Sequence, residues 1–424
     1  MNKKGTFVKF VSLLLSATFV FSFIISCGGG GGGGAASDPG PYNYSNPDQA
    51  ASASSEAAGT AMLLDTASMA SSNLAAEAAG EAGYAAGNTA APPPSAVPQQ
   101  LKISNKNSLA AIDPRLKTAV DKMIGMLQSA SVKNATLKAR QAKAMQKTVS
   151  VSTTCPNGGN MTIVGTDNSD LASAATYTEA RVTLTYNNCR DSSYPASEEN
   201  GSLSLYWKKM SDGSSTIAEV TATNFAAKTY SDASYTTLIE TGTMNGTFAV
   251  TDNVTSGSAS INASISYVNP SESMSLTMSN LTNNWTHETA VGYVTDTATL
   301  NGSYNLSVTS GYGTGGLTIT PRNMQFKVKT YATLAYDEWL NGSIVTVFNP
   351  ANCAAGTVTF TTAESTPLIF DNELDDCPNS GTIQVNNATI VFGAPIAVTV
   401  NGTTQYYADC LAMENANSGN GMCM

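Results

Sequence analysis

The chain has 424 residues, with 21 Lys and Arg against 31 Asp and Glu, and a single histidine. A net charge of −10 argues against nucleic acid as a partner, because phosphate binding needs a net basic surface. One histidine excludes a metal centre built on a histidine cluster.

In chain order, residues 1–10 carry Lys3, Lys4 and Lys9 and no acid. Val11 to Ile25 follow as 15 mostly apolar residues. That length suits the h-region of an export signal and falls short of the ~20 residues a bilayer span needs. The stretch closes on Ile24-Ile25-Ser26-Cys27 and then seven glycines, Gly28 to Gly34. This segment resembles the lipobox of bacterial lipoproteins. The resemblance implies removal of residues 1–26, a diacylglycerol thioether on Cys27 and acylation of its new amino group, so that the protein holds the membrane through an N-terminal lipid. One acyl chain anchors a protein only marginally, whereas two or more anchor it stably. In that family Gly rather than Asp after the lipidated Cys goes with outer-membrane sorting, and Gly28 fits. The expected address is the cell envelope, at the outer membrane.

Loss of residues 1–26 removes three lysines, and the remaining chain carries −13. Residues 27–99 read as lipid anchor and tether. They are rich in Gly, Ala, Ser and Pro, with six acids and no Lys or Arg, and hold too few large apolar groups for a core. As a coil, residues 28–99 would span roughly 45 Å. Residues 100–148 read as a basic amphipathic helix. Asp113-Pro114 supplies a cap and a first-turn proline, and Leu116, Val120, Met123, Ile124 and Leu127 form one apolar stripe. Three placements fit it: docked on the domain that follows, laid on anionic headgroups, or bound to a partner.

From residue 149 to 424 the period changes to two. Val182, Leu184 and Tyr186 alternate with Arg181, Thr183 and Thr185, and Met274/Leu276/Met278 and Met324/Phe326/Val328 repeat the pattern. The spacing predicts an all-β domain of about 14–16 antiparallel strands of 5–8 residues, as a meander, curled sheet, sandwich or barrel. Short strands and the lack of aromatic girdles argue against a transmembrane barrel. The pairs Asn200-Gly201, Asn245-Gly246, Asn301-Gly302, Asn341-Gly342 and Asn401-Gly402 read as type I′ hairpin turns, where both central residues need positive φ.

Beyond Cys27, six cysteines remain: Cys155, Cys189, Cys353, Cys377, Cys410 and Cys423. An even number suits disulfides in an oxidising compartment. Cys155-Pro156-Asn157-Gly158-Gly159 precedes Cys189 by 34 residues, and Cys377-Pro378-Asn379-Ser380-Gly381 precedes Cys410 by 33. This echo predicts 155–189 and 377–410, leaving 353–423. The echo marks either a duplicated β unit or two unrelated turns.

Candidate sites are few. The acids Asp371, Glu373, Asp375 and Asp376 cluster hard oxygen ligands in one loop, a candidate calcium site, although its sixth position is Asp376 where an EF-hand loop needs Gly. Asp167-Asn168-Ser169-Asp170 is a shorter version. His287 has no Gly-x-Ser-x-Gly elbow to serve. Gly311-Tyr312-Gly313-Thr314-Gly315-Gly316 precedes a strand, not a helix, and so reads as a hairpin instead of a phosphate cradle. Together these features point to a lipid-anchored envelope protein with a structural or binding role and no evident catalysis or cofactor. The alternatives are a carrier of an acyl chain in a curled-sheet groove, a surface-adhesion or glycan module, and a hydrolase working with carboxylates alone, which needs two of them ~5–10 Å apart in a cleft.

Overall fold

The computed structural model describes residues 39–51, 54, 148–167, 178–191, 196–209, 215–253, 255–311, 313–349, 356–372 and 377–416. The expected helix of 100–148 lies outside them, except for Thr148, which opens the first strand.

The protein is an antiparallel β meander. Its first eleven strands are β1 (Thr148–Thr154), β2 (Asn160–Asp167), β3 (Thr178–Asp191), β4 (Ala196–Lys209), β5 (Ser215–Tyr230), β6 (Leu238–Asn253), β7 (Ser256–Val268), β8 (Glu272–Ala290), β9 (Tyr293–Ser310), β10 (Gly313–Tyr331) and β11 (Tyr336–Asn349). Each pairs with the next in sequence. One edge of β11 is then shared by β12 (Gly356–Thr362) and β13 (Leu368–Phe370). The sheet continues through β14 (Gly381–Val385), β15 (Ala388–Phe392), β16 (Ile396–Val400) and β17 (Thr403–Tyr407) to a short helix, α1 (Cys410–Asn415). All seventeen strands belong to one sheet. Among the described residues no pairing joins β1 to β17, so the sheet is open.

The alternation read from sequence sorts the side chains. On β7, Ala259, Ile261, Ala263, Ile265 and Tyr267 are buried, while Ser260, Asn262 and Ser264 are exposed. Phe225, Phe248 and Phe326 are wholly inaccessible, each adding roughly 2–3 kcal/mol by leaving water. A membrane barrel turns its apolar side chains outward to lipid. Here the apolar face is the covered one and the Ser/Thr face is wet.

Two expectations need correction. The central strands are not 5–8 residues long: β3 to β11 run from 13 to 19, while β1, β2, β12 and β14 to β17 keep the expected 5–8. And four of the five Asn-Gly pairs are not turns but lie mid-strand, at a crease that crosses the sheet. In β3, β5, β8 and β10 a bulge sets two residues against one on the neighbouring strand. At each bulge sits an Asn in the left-handed region: Asn188, Asn224, Asn280 and Asn323, with φ of 46°, 47°, 49° and 48°. The backbone N–H of each donates to the side-chain oxygen of an Asn on one neighbouring strand: Asn200 at 2.8 Å, Asn245 at 2.5 Å, Asn262 at 2.6 Å and Asn301 at 2.6 Å. On its other side each is crowded by a glycine: Gly159, Gly201, Gly302 and Gly342 in turn. Asn200-Gly201 and Asn301-Gly302 therefore each serve two bulges, Asn facing one and Gly the other. Of the five pairs, Asn401-Gly402 alone makes a turn, between β16 and β17.

The extra residue at a bulge flips the parity of the strand. On β8 the buried set runs Met274, Leu276, Met278 and then Leu281, Asn283, Trp285. Without the bulge the second half would turn its apolar side chains to water.

Part of the stretch read as tether is folded. Residues 39–51 dock on the C-terminal strands, and Pro41 bridges Thr357 of β12 in parallel.

Candidate functional site

Two of the expected cystines are present. Cys155 bonds Cys189 with a Cα–Cα distance of 5.4 Å, and Cys377 bonds Cys410 at 5.9 Å. Their settings differ: the first ties the β1–β2 turn to the bulged end of β3, the second ties the loop before β14 to the start of α1. Cys27, Cys353 and Cys423 lie outside the described residues. So do Glu373, Asp375 and Asp376 of the candidate calcium loop, and residues 168–170 of the shorter one; Asp371 sits in an exposed bend. Among the described residues no three His, Cys, Asp or Glu side chains group as metal ligands. Trp285 and Trp339 are buried, and Trp285 lies over Gly257, where a Cβ would collide with the indole. Of the Gly311–Gly316 stretch, Gly313 to Gly316 open β10 opposite β9, with Ser310 facing Gly313.

What sequence reading missed is a polar row on the covered face, assembled by cross-strand register. His287 (β8) faces Asp296 (β9), which faces Val328 (β10), which faces Glu338 (β11), which faces Leu368 (β13). The Nδ1 of His287 lies 2.7 Å from Oδ1 of Asp296, and its Nε2 lies 3.3 Å from the hydroxyl of Thr289. The His287 side chain is 36% exposed and that of Asp296 19%. At this exposure the pair stabilises the hairpin end by about 1 kcal/mol or less.

Glu338 differs. It is 2% exposed, among Val328, Leu368 and Leu340, and burial raises its carboxyl to about 7. Two strand spacings separate Asp296 from Glu338, about 10 Å. That falls at the outer limit for a carboxylate-pair hydrolase, and Glu338 is not presented to a substrate. Asp296 and Glu338 do not make such a pair.

A second buried acid, Glu198 on β4, lies between Arg190 of β3 at 2.8 Å and Lys228 of β5 at 3.0 Å. Burial alone would raise its carboxyl, but the hydrogen bonds from Arg190 and Lys228 more than offset that and hold it below the usual range. Arg190 also lies over the Tyr235 ring at 4.9 Å, so this cluster closes the end of the sheet beneath the β5–β6 loop. It is structural.

The most extensive unexpected assembly is the docked N-terminal segment. Thr357 donates its N–H to the carbonyl of Gly40 at 2.8 Å and accepts from the N–H of Tyr42 at 3.0 Å. The Asn386-Asn387 turn between β14 and β15 holds the next residues. The side-chain amide of Asn386 donates to the Tyr42 carbonyl at 2.6 Å. Asn387 both accepts from the Tyr44 N–H and donates to the Tyr44 carbonyl, each at 2.9 Å. The Tyr407 hydroxyl donates to Asp48 at 2.6 Å. Tyr44 is 1% exposed, Ala50 and Ala51 are wholly buried, and Gly356 leaves the space in which the Tyr42 ring lies. The signal for this docking was faint, because amide side chains and alanines make it in place of large apolar groups.

The fold and these sites define an open, creased antiparallel sheet stapled by cystines and by its own N-terminal segment. No protein-family model matches the chain, and no curated protein matches it.

Proposed function

We propose that the protein is a lipid-anchored envelope protein, most fittingly of the outer membrane, that works by binding or structural contact. The observation that carries this reading is the lipobox-like Ile24-Ile25-Ser26-Cys27 directly after an apolar run of signal length. The two cystines support it, because such bonds persist in oxidising compartments. The wet face supports a polar partner, glycan or protein, over an acyl-chain cargo. It carries rows of Ser, Thr and Asn, and at one end Lys329 lies 4.0 Å over the ring of Tyr293 and 5.1 Å over that of Tyr331. The covered face is filled along the crease by the protein's own side chains, with Met244, Leu300 and Met324 wholly inaccessible.

Detergent phase partitioning of cells tests the anchor. The wild-type protein is expected in the detergent phase and the Cys27→Ser variant in the aqueous phase or uncleaved. Equal partitioning of the two would overturn the reading.

A further inference from the structure

The docked segment fixes which end of the protein an N-terminal lipid would hold. Among the described residues Gly40 is the first bonded to the sheet, through Thr357 on the stretch of β12 edge that β14 does not reach. It lies 13 positions after Cys27. Even fully extended, 13 residues span no more than about 45 Å. The roughly 70-residue tether expected from composition would have let the body roam; the docked residues shorten it to a short leash at a defined point.

We propose that the pole formed by the start of β12, the Asn386-Asn387 turn and the Asn401-Gly402 turn faces the membrane, with the phospholipid headgroup layer as its partner. This rests on acylation at Cys27. The three pieces adjoin one another, since the Asn387 side chain also reaches Asn401 at 3.3 Å. β3 to β5 lie some ten strands away, about 50 Å along the sheet surface at 4.8 Å per strand. That leaves β3 to β5 far along the sheet from the point of attachment.

Charge does not provide this orientation. Residues 330–424 hold nine acids and no Lys or Arg, so anionic headgroups repel this pole. The covalent chain alone keeps it near, and added salt does not release it, because screening only weakens the repulsion.

The test uses full-length acylated protein in vesicles of phosphatidylcholine and phosphatidylglycerol that contain a lipid with a photoreactive headgroup, with crosslinks mapped by mass spectrometry. Crosslinks are expected to concentrate on residues 356–361, 386–389 and 401–406, at least fivefold over β3 to β5. The double variant Asn386→Ala, Asn387→Ala is expected to stay on the vesicles with its crosslinks spread over the sheet. Crosslinks spread evenly in the wild type, or gathered on β3 to β5, would overturn the orientation while leaving the anchor intact. If the wild-type protein fails to float with vesicles, or Cys27→Ser floats equally well, the anchor itself falls and the orientation with it. Should the double variant fail to fold, the wild-type pattern alone decides.

Discussion

The backbone N–H of Asn323 on β10 donates to the side-chain oxygen of Asn301 on β9 at 2.6 Å. A left-handed bulge residue has left its ladder, and a neighbouring amide takes the hydrogen bond the ladder lost. Asn301→Ala removes that acceptor at an exposed site and is expected to destabilise the protein by about 0.5–1.5 kcal/mol. Asn301→Asp keeps an acceptor and is expected to lose less than Asn301→Ala. Denaturant midpoints of the two variants check this, and equal losses would count against the amide's role.

The glycine beside that asparagine is set by space as well as by conformation. A Cβ on Gly302 would stand 2.5 Å from the Cα of Leu281, at φ +123°. Gly292, in the β8–β9 turn, also has positive φ, at +87°, but meets nothing within 4 Å. Gly292→Ala is expected to cost about 1–2 kcal/mol from its backbone alone. Gly302→Ala is expected to cost about 3 kcal/mol or more, because backbone must also move. Thermal midpoints should separate the two clearly.

The two buried acids respond to pH with opposite sign. Glu338 is raised from 4.5 to about 7 in the folded protein. Below pH 4.5 both folded and unfolded chains hold the proton and there is no penalty. Above that the unfolded chain alone releases it, and the penalty grows to about 3 kcal/mol once pH passes 7. Glu338→Gln should therefore stabilise the protein at pH 8 and change little at pH 4. Glu198 is lowered, so its contribution is present above the unfolded value of 4.5 and disappears as pH falls through the depressed folded value. Glu198→Gln should destabilise at pH 7 and matter least in strong acid. Unfolding measured from pH 3 to 9 checks both directions.

The cystines close loops of 34 and 33 residues. Removing either by a paired Cys→Ser change is expected to cost about 2–4 kcal/mol. Peptide maps without reductant should recover the 155–189 and 377–410 linkages, and any exchange between these two pairs would contradict the structure.

Strand alternation was legible because burial on one face writes itself into every second residue, as in Met274, Leu276 and Met278. The crease was misread because a type I′ turn and a left-handed bulge ask the same thing of Asn-Gly, namely positive φ and a local acceptor. Placing a turn at Asn301-Gly302 cut one 18-residue strand in two, and that halved the expected lengths. The signal that distinguishes the readings is that Asn recurs near the middle of each apolar run: 200, 224, 245, 262, 280, 301, 323, 341. Glu338 and His287 were beyond sequence reading, because the face they share depends on register, and one bulge residue reverses it. The echoed Cys-Pro-Asn gave the right partners for a reason unrelated to shared architecture, since one cystine ends on a strand and the other on a helix.

The most direct test of the anchored-protein account is the intact mass of the N-terminal peptide from the native protein. The account predicts a chain that begins at Cys27 and carries the mass of a diacylglycerol thioether plus an amide-linked acyl group. A peptide that begins elsewhere, or an unmodified Cys27, would contradict it.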